Sequence, residues 1–484
     1  MAHLHTTMLF VALLPCAITK AQTPVLLKDI NPTGSSSPNY MTCFGNTVYF
    51  NANDGVHGIE LWKTDGTANG TVLVKDIVEG TGHSSARDFF EIDDMIYFTI
   101  GPSPSEAQLW KTDGTEAGTQ MAVDFAQVDG LLGWSGFAKF GDLIYFKGTT
   151  EAEGTELWYT DGTVAGTQML MDLRPGATGS SPRDLIAFDG RLFFTAAVND
   201  LEPWVTDGTP EGTQLLKDCY EGIGSSSPLY YTVVDDQLFF RAATGAQGEE
   251  LWVSDGTTDG TVLVRDLYGG TSSSLLGHFT GHNGELYFKA YPDFGVNHLY
   301  RSDGTYEGTV PLPHPAYDYN IPEGMHSHNG WLYFFAYGDF GRQLWRTDGT
   351  AEGSTEILYP GPTANQPMEN ASYLSSCGGE LIFRGGYIDG LGYELYALTS
   401  SVGMDAPTKA KIGVFPNPTS DQLQISGFPA NSNFMLYATD GRTIMNTPAK
   451  ASMDVTSLPA GPYLARITDA TGGIVHSQLV IVQH

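Results

Sequence analysis

The chain is poor in cysteine, in positive charge and in long apolar runs. It has 484 residues but only 4 cysteines. So sparse a set, with no Cys-x-x-Cys and no Cys/His zinc spacing, is neither a disulfide framework nor a zinc site. Lys and Arg total 24 against 55 Asp and Glu, a formal net charge of −31. Phosphate binding needs clustered cations, so the composition argues against nucleic acid as a partner. Charged residues are only 16% of the chain, below the roughly 25% of an average soluble domain. The longest apolar run, residues 8–18, is shorter than the about 20 residues that span a bilayer. What is abundant is glycine (58) and aromatics (12%). That combination predicts an ordered, turn-rich, all-β protein. The length is too great for one ordinary core, so a large domain and a smaller one are expected.

The run at 8–18 followed by Thr19 and Ala21 reads as a secretory signal peptide over residues 1–21. Its removal leaves Cys43, Cys219 and Cys377. Cys43 and Cys377 hold nearly matching places in the first and last repeats described below. They could meet if a ring closes, but small buried thiols are the simpler expectation.

Asp-Gly-Thr recurs at Asp65, Asp113, Asp161, Asp207, Asp255, Asp303 and Asp348, at intervals of 45 to 48 residues. An aromatic triplet such as Val48-Tyr49-Phe50 precedes each, and an eighth triplet, Leu381-Ile382-Phe383, has no Asp-Gly-Thr after it. Its missing piece lies at the start of the chain, where Val25-Leu26-Leu27-Lys28-Asp29-Ile30 matches Val72-Leu73-Val74-Lys75-Asp76-Ile77. A period near 48 with four short strands per unit predicts an eight-bladed β-propeller over residues 22–398, closed by the N-terminal strand. Asp-Gly-Thr would be the turn joining the third and fourth strands, with Asp and Thr capping loop N–H groups. Groups present in every repeat are expected to hold the repeat together. A ligand site belongs where the symmetry breaks.

Residues 399–411 have linker composition, and 412–484 carry short β-like runs that predict a small β-sandwich. Val414-Phe415-Pro416-Asn417-Pro418, Leu436-Tyr437-Ala438-Thr439-Asp440-Gly441-Arg442 and Leu458-Pro459-Ala460-Gly461-Pro462-Tyr463 stand in order here. This stretch resembles the C-terminal sorting domain of the bacterial type IX secretion system, with mild departures at Pro462 and Gln478. The resemblance implies outer-membrane translocation by that machinery and removal of the domain by its processing peptidase. Release or attachment at the cell surface would follow. Glu60-Leu61-Trp62-Lys63-Thr64-Asp65-Gly66-Thr67 and Glu250-Leu251-Trp252-Val253-Ser254-Asp255-Gly256-Thr257 resemble a second family, the bacterial surface propellers built from the ELWxxDGT repeat. Gln108, His298 and Gln343 replace the Glu, so that Glu is not required in every blade. The second resemblance implies a fold and an address, and no agreed activity.

Three asymmetries are candidate sites. Six of the 12 histidines fall between 278 and 328. His278, His282, His326 and His328 would lie on innermost strands, either as a metal site or as imidazoles standing in for aromatics. Second, the loops between second and third strands in blades six to eight carry Tyr291, Asp293 and Phe294, then Tyr337, Asp339 and Phe340, then Tyr387 and Asp389. Rings that stack on C–H faces beside carboxylates that accept hydroxyls suit a glycan. Third, only six basic and four acidic residues lie outside 22–408, which leaves that span 18 basic against 51 acidic. Such a shell either binds calcium or another divalent ion or simply maintains solubility.

Enzyme motifs are weak. Gly82-His83-Ser84-Ser85-Ala86 imitates a nucleophile elbow but falls in a loop rather than between strand and helix. No phosphate-binding glycine loop occurs. The sequence therefore predicts a secreted or surface propeller that binds a glycan or protein without catalysis. The alternatives are a carbohydrate-active enzyme and an adhesive surface protein that binds divalent cations.

Overall fold

The computed structural model describes residues 23–101, 108–292, 297–312, 320–338, 341–351, 353–357, 369–386, 392–399, 413–415, 422–426, 432–438, 442–468 and 474–482. The chain forms two compact units, Met1–Val402 and Gly403–His484.

In the first unit each repeat becomes one four-stranded antiparallel sheet, and eight such sheets are present among the described residues. The fourth shows the plan: Arg183–Phe188, Arg191–Ala197, Leu201–Thr206 and the short Gln214–Leu215, paired in that order. This is architecture of the β-propeller type. The eighth sheet takes Glu369–Cys377, Glu380–Gly386 and Tyr393–Thr399 from the end of the unit and Thr23–Lys28 from its start. Pro24 pairs with Leu398 and Leu26 with Tyr396.

The aromatic triplets supply the core. Phe50, Phe98, Phe146, Phe194, Phe240, Phe288, Phe334 and Phe383 are all fully buried, each contributing about 2 to 3 kcal/mol of apolar burial. Cores form between successive sheets rather than within one. Tyr49, Leu61 and Val74 of the first sheet pack with Ile96 and Phe98 of the second. Val48 and Phe50 of the first sheet share a core with Ile382 and Leu395 of the eighth. Both faces of a sheet are thus covered, which explains why apolar and polar residues alternate so weakly along the strands.

The Asp-Gly-Thr turns are closed hydrogen-bonded units. In the first, Asp65 Oδ1 accepts from Thr67 N (2.9 Å) and Thr67 Oγ1 (2.7 Å), and Gly70 N donates to Thr67 Oγ1 (2.9 Å). Gly66 has φ +88°, and a Cβ on Gly70 would fall 2.0 Å from Asp65 Oδ1, so both glycines are required. The same Asp–Thr bonds recur at Asp113, Asp161, Asp207, Asp255, Asp303 and Asp348.

A second recurring device is a buried carboxylate. Glu60, Glu156, Glu202, Glu250 and Glu394 are the second or third residues of their third strands, with at most 1% exposure. Each reaches the segment that leads to the next sheet. Glu202 accepts from Cys219 N (2.9 Å), Ser226 N (2.8 Å) and Ser226 Oγ (2.6 Å). Glu250 binds Leu267 N and Ser274, and Glu156 binds Arg174 N and Ser180. Glu394 does the same across the chain ends, accepting from Ile30 N (3.0 Å), Ser36 N (2.9 Å) and Ser36 Oγ (2.6 Å). Burial raises the pKa of all five, Glu250 to about 7. Ser84, the would-be nucleophile, is one of these partners: its N–H donates to Glu60 Oε1 at 2.9 Å.

One expectation is corrected. Cys43 and Cys377 are not free thiols but a disulfide, with Cα atoms 5.6 Å apart. Their strands, Asn39–Phe44 and Glu369–Cys377, are the first strands of the first and last sheets and lie in contact. Cys219 is free and buried, and burial raises its thiol pKa.

The second unit has a three-stranded sheet (Gly413–Phe415, Gln422–Ser426, Ser452–Asp454) and a four-stranded one (Asn433–Ala438, Thr443–Pro448, Gly461–Thr468, Ile474–Val482). Leu423 and Ile425 of the first sheet share a core with Phe434, Leu436 and Ile467 of the second.

Glu202→Ala leaves the buried N–H groups of Cys219 and Ser226 without their acceptor and the Ser226 hydroxyl with only Leu201 O, and is expected to cost about 3 kcal/mol in urea unfolding. Glu202→Gln, which retains one acceptor oxygen, is expected to cost less. A loss within about 0.5 kcal/mol for the alanine variant would contradict the role given to the carboxylate. Cys43→Ser with Cys377→Ser is expected to lower stability by about 2 to 5 kcal/mol relative to the oxidised protein. Equal melting temperatures would show that the disulfide adds nothing to the paired N-terminal strand.

Candidate functional site

At four junctions the first strands of neighbouring sheets meet in the same way. The last strand residue of one sheet touches the next-to-last of the following sheet. Val234 meets Gly281, where an added Cβ would lie 3.2 Å from the valine methyl. His282 Nδ1 meets Ser327 Oγ at 2.8 Å, and His328 Nδ1 meets Ser376 Oγ at 2.8 Å. Cys377 meets Cys43 covalently. Two histidine–serine pairs and the disulfide thus occupy three consecutive junctions of one kind.

His282 and His328 use their other ring nitrogens on Asn283 and Asn329, each at 3.0 Å. His326 Nε2 also reaches Ser376 Oγ, at 2.7 Å. His278 is not on the buried face of His282: a bulge between Gly277 and Thr280 turns it out to solvent. Among the described residues no group of three or more His, Cys, Asp or Glu side chains could hold a metal ion. Three of the four histidines thus stand at junctions between first strands, and His278 is exposed. Burial lowers the pKa of His282 and of His326 from 6.5 to about 4, and lowers that of His328 as well.

Most of the predicted aromatic loop site, namely Asp293, Phe294, Asp339, Phe340, Tyr387 and Asp389, lies outside the described residues. Tyr291 follows the second strand of the sixth sheet, and its N–H donates to Ser274 O at 2.8 Å. Tyr337 is the next-to-last residue of the corresponding strand of the seventh, paired with Arg342. The Asp-Gly-Thr aspartates are exposed but engaged with their threonines. Those bonds lower the pKa of Asp65, Asp113, Asp207, Asp255 and Asp303.

A set of residues not anticipated from sequence stands on the same first strands. Tyr40, Asp88, Gly136, Asp184, Tyr230, His278, Gly324 and Tyr373 all have left-handed backbones, with φ between 54° and 69°. Each sits at a register shift in its first strand. All eight are exposed, Tyr40, Tyr230 and Tyr373 to 48%, 45% and 44%. Arginines lie beside four of them. Arg241 stacks on Tyr230 (5.2 Å) and Arg384 on Tyr373 (4.7 Å). Asp88 is 3.8 Å from Arg87 and accepts from Thr99 Oγ1 at 2.7 Å, and Asp184 is 3.6 Å from Arg183. The only sequence trace is a constant offset of nine residues before the centre of each triplet, which carries no sign of φ.

Residues 413–483 match the family model described as the secretion system C-terminal sorting domain. The chain thus carries the address of a secreted or cell-surface protein. No curated protein matches it. Among solved structures it is similar to PorZ, a surface component of the type IX secretion system of Porphyromonas gingivalis. The two are 13% identical, covering 92% of this chain and 69% of that one, with a TM-score of 0.39. It is also similar to the β-propeller domain of the Trilobed protease from Pyrococcus furiosus, with 11% identity, 67% and 99% coverage and a TM-score of 0.41. A prolyl endopeptidase gives 12% identity, 75% and 56% coverage and a TM-score of 0.48.

The histidine shifts predict a pH effect. Folded His282 refuses a proton that the unfolded chain accepts below about pH 6.5, so stability falls as pH drops from there toward 4. The buried carboxylates that latch the connections, Glu60, Glu156, Glu202, Glu250 and Glu394, act with the opposite sign, and comparison with a variant that retains them cancels their effect. His282→Phe, with the residue found at Phe140 and Phe188, is expected to lose less melting temperature than wild type between pH 7.5 and 5. An identical drop in both proteins would show that His282 is not buried neutral.

Proposed function

We propose that this chain is a secreted or cell-surface binding propeller without catalytic activity, whose ligand is an extracellular glycan or protein. Its eight sheets form a ring closed by the N-terminal strand, followed by a linker and a C-terminal β-sandwich that type IX machinery reads and a processing peptidase removes. One observation carries the reading. The polar groups that recur from sheet to sheet are engaged internally, Asp with Thr in the turns and Glu with Ser in the connections. Contact with a ligand is left to side chains that differ between repeats, and the aromatic and acidic loops of the sixth to eighth sheets are the densest of these.

The full chain is expected to bind selectively within a panel of immobilised polysaccharides (xylan, mannan, laminarin, chitin, pectin). A variant with Tyr291, Phe294, Tyr337 and Phe340 all changed to Ala is expected to lose that binding. Equal binding by both proteins would remove the loops from the site. Release of reducing sugar from a bound polysaccharide would favour the enzymatic reading instead. A melting temperature that falls with chelator would favour a divalent-ion surface protein.

A further inference from the structure

The left-handed positions on the first strands pose a question of cost. A β-carbon in the left-handed region costs roughly 1 to 2 kcal/mol, and glycine is free of it. Gly136 and Gly324 show that glycine builds this bulge without difficulty. Yet six sheets keep a side chain there. Asp tolerates the conformation through local hydrogen bonds, and Asp88 makes such a bond with Thr99. Tyrosine has no such compensation, and it occurs three times.

In five of these six sheets the connection explains how the cost is met. All five Glu-latched connections lead to a sheet whose left-handed residue bears a side chain: Tyr40, Asp88, Asp184, Tyr230 and His278. Two of the three sheets reached from Gln108, His298 or Gln343 have glycine instead. Bulges are a known means of re-aiming a side chain beside a functional site, and strained non-glycine residues gather at such sites.

Resting on the binding reading above, we infer that these left-handed side chains form a glycan site where the first strands converge. The chemistry is that of a largely uncharged polyol. Tyr40 and Tyr373 stand on neighbouring sheets with their rings half exposed, ready to stack on the C–H faces of pyranose rings. Asp88, on the sheet after Tyr40, and Asp184 offer carboxylate acceptors to hydroxyls. Arg384 beneath Tyr373 also donates to Asn39 Oδ1 at 2.7 Å, which ties the eighth sheet's ring to the first sheet. Each carboxylate has an arginine within 4 Å, so the site is locally balanced although residues 22–408 are strongly acidic. That balance suits a neutral sugar chain better than a cation.

The test uses the full chain with the same polysaccharide panel, comparing wild type, Tyr40→Gly with Tyr373→Gly, and Tyr40→Phe with Tyr373→Phe. Glycine relieves the backbone, so the glycine variant is expected to melt no lower than wild type. It is expected to bind the best polysaccharide about tenfold or more weakly, the weight of a lost aromatic contact. The phenylalanine variant retains the rings and is expected to bind within about threefold of wild type. Wild-type binding by the glycine variant would overturn the inference, as would a phenylalanine variant as weak as the glycine one. If the loop variant alone loses binding, this site falls while the wider reading stands. If wild type binds no polysaccharide at all, the glycan assignment falls and only a protein ligand remains for the wider reading.

Discussion

A carboxylate with no access to water must find donors within the fold, and this constraint organises the propeller unit. A buried, unpaired carboxylate costs several kcal/mol. Five times the chain answers with the same solution: a Glu near the start of the third strand takes N–H groups, and in four cases a Ser hydroxyl, from the segment ahead. The segment is thereby fixed at the point where the next sheet begins. The residue after each latch serine, at Ser37, Ser85, Ser181, Ser227 and Leu275, is left-handed, and three residues later comes the left-handed residue of the bulge. The latch thus sets the entry of five of the eight first strands and the direction of the side chains they expose.

The last latch joins the two ends of the unit. Glu394 and its partners Ile30 and Ser36 are more than 350 residues apart in sequence. The paired N-terminal strand and the Cys43–Cys377 bridge act on the same pair of sheets. Three different interactions therefore reinforce the place where a repeat array has no covalent continuity. That redundancy suits a protein meant for the oxidising exterior, where a disulfide persists.

Much of this architecture was legible in the sequence. The period of the Asp-Gly-Thr turns, the orphan eighth triplet and the N-terminal match fixed the sheets and their strand order. The turns were legible because their bonds are local, Asp65 to Thr67 and Thr67 to Gly70. The disulfide was not, because Cys43 and Cys377 are offset by one place within the repeat. That offset is the junction geometry itself, which pairs the last residue of one first strand with the next-to-last of its neighbour. The Glu latch was missed because its replacement in three repeats looked like tolerance. Its trace was present all the same: a Ser stands 24 residues after Glu60, Glu156, Glu202 and Glu250. Period two places His278 on the face of His282 because it takes no account of the bulge that turns His278 away. Backbone sign at Tyr40 or Tyr373 has no sequence marker when the residue is not glycine.

The central claim is that the buried carboxylates hold the connections between sheets. Amide hydrogen exchange reads this directly, because protection reports the free energy of local opening. The account predicts that the amides of Ser36, Ser84, Ser180, Ser226 and Ser274 exchange as slowly as those of the aromatic triplets in the adjacent strands. Exchange as fast as that of the exposed Asp-Gly-Thr turn amides would mean that the connections open freely, and the latch would be an incidental contact.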